Sequence, residues 1–254
     1  MSFKQVVFMC CVAYILAQCV PVNVREIPTV AISLKHSPRR EKLEKHMHNI
    51  NMPFRYFDAF EAKLFDDTEN PRVLKRRINN HLYTFLNQNE PADVAVAMSH
   101  IHVWEQYQNY SAVLVLEDDV QLKGNLDLPI YYTSDTILVT LLFNANSAGP
   151  LLGYQCGMEL RDYWFGLAGY IITQNGMQRM LHYLQQQNIN DGIDSCVKYF
   201  KTSSRNIVLS KKQQLWVDHG PVILESDKIP PGADSERVRY NLRARAHKKF
   251  KLEM

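Results

Sequence analysis

Cysteine is scarce in this chain and unevenly placed. Of five cysteines in 254 residues, Cys10, Cys11 and Cys19 fall near the start, leaving only Cys156 and Cys196 beyond residue 19. The dense disulfide framework of small secreted domains is therefore excluded. No apolar run reaches the roughly 18–20 residues that a membrane-spanning helix needs, which excludes a multispanning protein. Glycine and proline number only 10 and 11, and no repeat or low-complexity tract occurs, so collagen-like and disordered readings fail. A strong charge of one sign is also missing: the net charge is +3. Seven of the 29 basic residues lie between Arg237 and Lys251; residues 1–236 hold 22 basic against 25 acidic residues, a net of −3. A mildly acidic body argues against nucleic acid as partner. The basic tail, 231–254, is a solvated end or a contact for an anionic partner or membrane surface.

What is present is ordinary globular composition, 46% hydrophobic and 22% charged. The length suits one large domain or two small ones, with a sizeable core. Lys4 precedes the mostly apolar Val6–Ala17, followed by Gln18-Cys19-Val20-Pro21. This pattern predicts a secretory signal peptide over 1–19, cut after Cys19; an uncleaved signal anchor or a buried N-terminal element are the alternatives. Membrane contact is expected only through such an anchor or the tail. In an oxidising lumen Cys156 and Cys196 would pair, or both stay as buried thiols. Asn109-Tyr110-Ser111 is the one N-glycosylation sequon.

Strands and helices alternate along the chain. Thr29–Leu34 predicts a buried strand, and Ser37 and Pro38 open a helix as N-cap and first helical residue, running to about Asn51. Pro53 ends it before a second strand, Phe54–Phe57. A helix is expected over Pro71–Asn87, and a longer one over Ala92–Tyr107, where Val94, Ala97, Met98, Ile101, Trp104 and Tyr107 recur at helical steps. Ser111–Leu116 and Ile137–Phe143 read as apolar strands, 144–162 as a long loop. Trp164–Thr173 reads as a strand, Asn175-Gly176 as a turn before a helix at Met177–Gln187, and Ile193–Phe200 as a short helix. Ile207–Leu209 and Gln214–Val217 are late short strands. The order implies an α/β sandwich with a mainly parallel central sheet flanked by helices.

The strongest local signal is LVLEDDV, Leu114–Val120: an apolar strand ending in three consecutive carboxylates. Their mutual repulsion needs an offset, and carboxylate oxygens suit Mn²⁺ or Mg²⁺. Open α/β sheets bind ligands at the carboxyl ends of their strands, and a cation there would bridge a diphosphate. The alternative is an acidic surface turn.

The neighbours of that turn resemble glycosyltransferase family 25, which includes bacterial lipooligosaccharide galactosyltransferases and collagen β-galactosyltransferases. The resemblance runs through AISLKHSPRREKLEKHM (Ala31–Met47), FRYFDAF (Phe54–Phe60), ADVAVAMSHIHVWEQ (Ala92–Gln106), AVLVLEDDV (Ala112–Val120), GLAGYIITQNGMQRML (Gly166–Leu181), Asp194, and ESDKI (Glu225–Ile229). In order, these cover roughly 28–230, the expected catalytic domain. The sequence departs from the family at Phe60-Glu61-Ala62, where a glycine is frequent. It departs again at Ala92-Asp93-Val94-Ala95-Val96, where the family's "GEIGC" has two glycines and a cysteine.

The resemblance implies a GT-A-like, Rossmann-type fold and metal-dependent, inverting transfer of a sugar from a UDP-sugar, galactose being the expected one. The acceptor is a hydroxyl on a glycoprotein such as collagen-like hydroxylysine, or on a glycan or glycolipid. It further implies that Glu117, Asp118 and Asp119 form the metal and nucleotide-sugar motif, with Asp119 as direct ligand and Asp118 on the metal, ribose or sugar. Arg39 and Arg40 would meet phosphate or uridine, or be helix-surface charge; Asp58 would meet uracil or ribose. Ser99 and His100 match the family's Ser-His pair, His100 being a donor contact or a core histidine. Asp194 is the expected general base with Asp191 as rival, either being alternatively a helix cap. His219 is a further metal candidate. A secreted binding protein that keeps the fold without catalysis is the competing class, and a metal-dependent phosphatase or nuclease is a third. The expected setting is the lumen of the endoplasmic reticulum or Golgi, or secretion.

Overall fold

A computed structural model describes residues 20–65, 73–78, 81–86, 91–127, 129–132, 136, 138–141, 158–159, 167–189, 192–203, 207–209 and 215–219. The expected signal segment, the tail, Cys156 and Asp191 lie outside these residues.

The first half contains β1 (Val20–Val22), β2 (Thr29–Ser33), α1 (Arg39–Asn49), β3 (Arg55–Asp58), β4 (Val73–Ile78), β5 (His81–Leu86) and α2 (Pro91–Tyr107). There follow β6 (Ala112–Glu117), β7 (Val120–Gly124), β8 (Ile130–Tyr132), β9 (Leu138–Thr140) and β10 (Met158–Glu159). The last elements are β11 (Gly169–Thr173), α3 (Gln174–Gln186), α4 (Ile193–Ser203), β12 (Ile207–Leu209) and β13 (Leu215–His219). Among the described residues no helix is long and apolar enough to cross a membrane.

Seven strands form the central sheet in the order β10-β12-β9-β11-β6-β2-β3. Five run the same way, which is the mainly parallel sheet expected. Strands β11 and β10 are reversed, so their pairings with β6, β9 and β12 are antiparallel. Both faces are covered, which explains why TVAIS, AVLVL and GYIIT are buried throughout rather than alternating with polar residues. The two-residue period of a strand sorts them into two cores. Val30, Ile32, Val113, Val115, Tyr170 and Ile172 face α2, α3 and α4. Ala31, Leu114, Leu116 and Ile171 face Leu43 and Met47 of α1.

Helix α1 starts one residue later than expected. Pro38 occupies the cap position without a side-chain bond, and Ser37 Oγ instead accepts from the Arg39 amide at 3.3 Å. Asn175 and Gly176 are not a turn but the first turn of α3, capped by Thr173, whose hydroxyl accepts from the Gly176 amide at 2.9 Å.

The helix expected over Pro71–Asn87 does not form. Strands β4 and β5 pair antiparallel there, Val73 opposite Leu86 through Ile78 opposite His81. Tyr83 and Phe85 are fully buried while His81 and Leu82 are exposed, so the hairpin lays one face on the core. The Tyr83 hydroxyl donates to Glu105 of α2 at 2.6 Å, and the Ile189 amide donates to the Thr84 carbonyl at 2.8 Å. Tertiary partners thus decide a segment whose apolar residues fit either period.

Candidate active site

Strand β2 is the switch point of the sheet. It pairs with β3 on one side and β6 on the other, all three parallel, with α1 below and α2 above. Crevices open at the carboxyl ends of strands at such a point. The register places Ser33 opposite Asp58 and Ile32 opposite Glu117. Three strand ends far apart in sequence therefore deliver their polar residues to one edge.

A cleft of about 400 Å³ opens there. Glu117, Asp118 and Asp119 line one wall, Lys35, His36, Ser37 and Arg39 another, and Ala92, Ala95, Val96, Ser99 and His100 of α2 a third. The acidic turn points inward. Asp118 is the most enclosed of the three, its side chain 12% exposed. Its carboxylate accepts from the Ser33 and Ser37 hydroxyls, each at 2.7 Å, and from Arg39 Nη1 at 3.3 Å. The same guanidinium nitrogen is 3.7 Å from Asp119 Oδ2. One arginine thus bridges two adjacent carboxylates and offsets the repulsion that the sequence poses.

Glu117 takes a different direction. Its side chain is 34% exposed in the cleft, and Oε1 lies 3.6 Å from His100 Nε2. His100 is 1% exposed, and its Nδ1 is 2.7 Å from the Tyr170 hydroxyl, which accepts from Trp104 Nε1 at 2.9 Å. Burial lowers the His100 pKa to about 4, partly opposed by the charge of Asp194. A histidine in the unfolded chain protonates near 6.5. Between those values the unfolded state binds more protons, so stability is full above the window and falls as pH drops through it. The expected loss from this residue is on the order of 2–3 kcal/mol. Denaturant unfolding of wild type and His100→Gln across that window checks it: the variant should show a flatter curve, and parallel curves would refute the assignment.

The other expected site residues are distributed as follows. Arg40 and Asp58 do not line the cleft: they pair with each other, and Arg40 also donates to the Ser33 carbonyl at 2.8 Å and lies 4.3 Å over the Tyr56 ring. That arrangement ties β3 to α1. Ser99 lines the cleft, with its hydroxyl donating to Ala95 O at 2.8 Å and accepting from the Phe60 amide at 3.0 Å. It thereby holds Phe60 in the cleft wall. Asp194, in the first turn of α4, accepts from the Leu167 amide at 3.2 Å and is not among the residues that line the cleft, though its charge acts on His100. The backbone of His219 pairs with Val120, one residue past Asp119. Asn109 is exposed in the turn after α2, and Cys196 is buried on α4.

Sequence reasoning passed over Ser33, Ser37 as an Asp118 donor, Lys35, His36, Phe60, Trp104 and Tyr170. Ser33 carried a signal, being the one polar residue that closes the apolar strand after Thr29. Tyr170 carried none, because a buried tyrosine in an apolar strand reads as core.

The carboxylate oxygens of Glu117 and Asp119 suit a hard divalent cation, whereas Asp118 already accepts three hydrogen bonds. Among the described residues no three His, Cys, Asp or Glu side chains converge as a closed cage.

Residues 27–148 match the model of the family described as "Glycosyltransferase family 25 (LPS biosynthesis protein)". The matched segment holds α1, α2 and the whole acidic turn; Asp194 and His219 lie beyond it. A Haemophilus influenzae protein named "Putative glycosyltransferase" is 26% identical over 171 residues, covering 63% of this chain and 58% of that relative. The chain thus spans little more than half of the relative's length. Over residues 27–148 the chain is therefore similar to glycosyltransferase family 25.

Proposed function

We propose that the protein moves a hexosyl group, galactose from UDP-galactose, onto a hydroxyl of a glycoprotein acceptor. The observation that carries this reading is the cleft at the carboxyl ends of β2 and β6, with an acidic turn facing Lys35, His36, Arg39 and the start of α1. Cations and a helix N-terminus suit the diphosphate of a nucleotide-sugar. Asp119 and Glu117 would hold Mn²⁺ or Mg²⁺, with His219 as a further candidate. A bound cation would supply neutralisation of the departing diphosphate.

Inversion is a direct displacement. The acceptor oxygen forms a bond to the anomeric carbon from one face as the UDP oxygen leaves from the other, and a base takes the acceptor proton. Asp194 is our candidate base, with Asp191 its rival. The Asp194→Asn variant separates catalysis from scaffolding, because an amide oxygen still accepts from Leu167 but takes no proton. Turnover should fall about 100-fold with the melting temperature unchanged; full activity would remove Asp194 from the mechanism.

Release of UDP from UDP-galactose with Mn²⁺, with and without a hydroxylysine peptide, tests the whole reading. Peptide-stimulated release is expected. Absence of both Mn²⁺-dependent UDP release and UDP binding would sink it. A glycolipid acceptor in place of the peptide would identify the rival acceptor class. The second reading, a binding protein that keeps the fold, is favoured by one observation. Ala92, Ala95 and Val96, which replace the family's glycines and cysteine, all line the cleft and narrow it. Binding of UDP-galactose without turnover would support it. A lumenal location in the secretory pathway is part of the proposal and rests on the leader-like Val6–Ala17.

A further inference from the structure

Asparagine followed two residues later by serine or threonine is the acceptor pattern for an N-linked glycan in a secreted chain, provided the middle residue is not proline. Asn109-Tyr110-Ser111 has that pattern, and no other stretch of the chain does. Residue pattern alone runs the following strand from Ser111, which would carry the hydroxyl residue into the sheet. The fold removes that obstacle. Strand β6 begins at Ala112, and Asn109, Tyr110 and Ser111 are all exposed in the turn after α2.

The turn is closed by its backbone and its neighbours. The Tyr110 amide donates to the Tyr107 carbonyl at 2.9 Å, and the two rings lie 5.3 Å apart between centres. Gln174, at the start of α3, holds the turn from the other side. Its amide donates to the Ser111 carbonyl at 2.9 Å, and its Nε2 donates to the Gln108 carbonyl at 3.2 Å. None of these bonds uses the Asn109 carboxamide, so a large hydrophilic group on Asn109 Nδ2 leaves them in place. The cleft is also left alone. Strand β6 rises about 17 Å from Ala112 to Glu117, at about 3.3 Å per residue, so the turn and the acidic wall stand at opposite ends of one strand.

We propose that Asn109 carries an N-linked glycan at the pole of the domain opposite the cleft. In the transfer, Asn109 Nδ2 gives up a proton and bonds to the anomeric carbon of an oligosaccharide carried on a lipid diphosphate. The bond from that carbon to the diphosphate oxygen breaks, and the lipid diphosphate leaves. The donor and the enzyme that uses it belong to the secretory lumen. The inference therefore rests on the lumenal location proposed above, and is independent of the sugar this protein transfers.

Translation of the full chain in the presence of rough microsomes tests it. Wild type should be protected from added protease and run as a heavier band that peptide N-glycosidase returns to the unmodified position. Asn109→Gln and Ser111→Ala should each abolish the heavier band; Ser111→Thr, which keeps the hydroxyl, should retain it. A protected wild-type chain without the heavier band overturns the proposal and leaves the lumenal location standing. A chain that the protease digests overturns both. A glycosidase-sensitive band that survives in Asn109→Gln overturns the proposal by placing the glycan elsewhere.

Discussion

Replacing Asp118 by alanine is expected to lower the unfolding free energy by about 3 kcal/mol, toward the lower end for breaking an enclosed ion pair. The side chain joins three separate parts of the chain: Ser33 at the end of β2, Ser37 before α1, and Arg39 in its first turn. Alanine removes the shared acceptor and leaves Arg39, 13% exposed, its longer contact to Asp119 at 3.7 Å. Asp118→Asn keeps an oxygen for the serines and loses only the charge, so its loss should be smaller. The same change loosens the cleft wall, and a displacement of about 1 Å at a reacting centre costs about 100-fold in rate. Denaturant unfolding and UDP release measure the two effects. An Asp118→Ala protein as stable as wild type would show that the turn does not depend on this anchor.

Trp104→Ala should cost about 3–5 kcal/mol, the range for truncating a large aromatic side chain in a core. Trp104 is fully buried in the core between α2 and the sheet, edge-on to Tyr170 at 6.5 Å between ring centres. Its removal opens a cavity and takes the Nε1 donor away from the Tyr170 hydroxyl. Trp104→Phe preserves most of the packing and loses the donor, so about 1–2 kcal/mol is expected. A loss below about 1 kcal/mol for Trp104→Ala would mean that this part of the core collapses around the gap.

The main framework was legible from residue pattern. Three strands with apolar interiors and the regular stripe of α2 admit few alternatives, because burying both faces of a sheet leaves few polar positions, here Thr29, Ser33 and Thr173 at strand ends. The hairpin over 73–86 was not legible. Leu82, Tyr83, Phe85 and Leu86 are apolar without clean alternation. The two strands are separated by Asn79-Asn80, which lacks the glycine that marks the tightest turns. The burial of Tyr83 beside Glu105 chose the strand, and Glu105 belongs to another element.

At the cleft the division is similar. The run of carboxylates at 117–119 and the arginine pair at 39–40 are visible as residue types, and their place at strand ends follows from the pattern. What each does is not visible, because side chains one residue apart leave the backbone in different directions. Glu117 turns to His100, Asp118 to two serines and Arg39, and Asp119 to the same Arg39 nitrogen at longer range. Arg39 enters the cleft, while its neighbour Arg40 is taken up by Asp58 and Tyr56. Sequence alone determined the alternation of elements, the two-sided burial of the sheet and the acidic strand end, since these follow from local periodicity and the cost of leaving apolar surface in water. Only the tertiary structure decided which carboxylate is spent on the scaffold and which faces the cleft. Hydrogen bonds between residues about 80 positions apart exist only once β2 and β6 lie side by side.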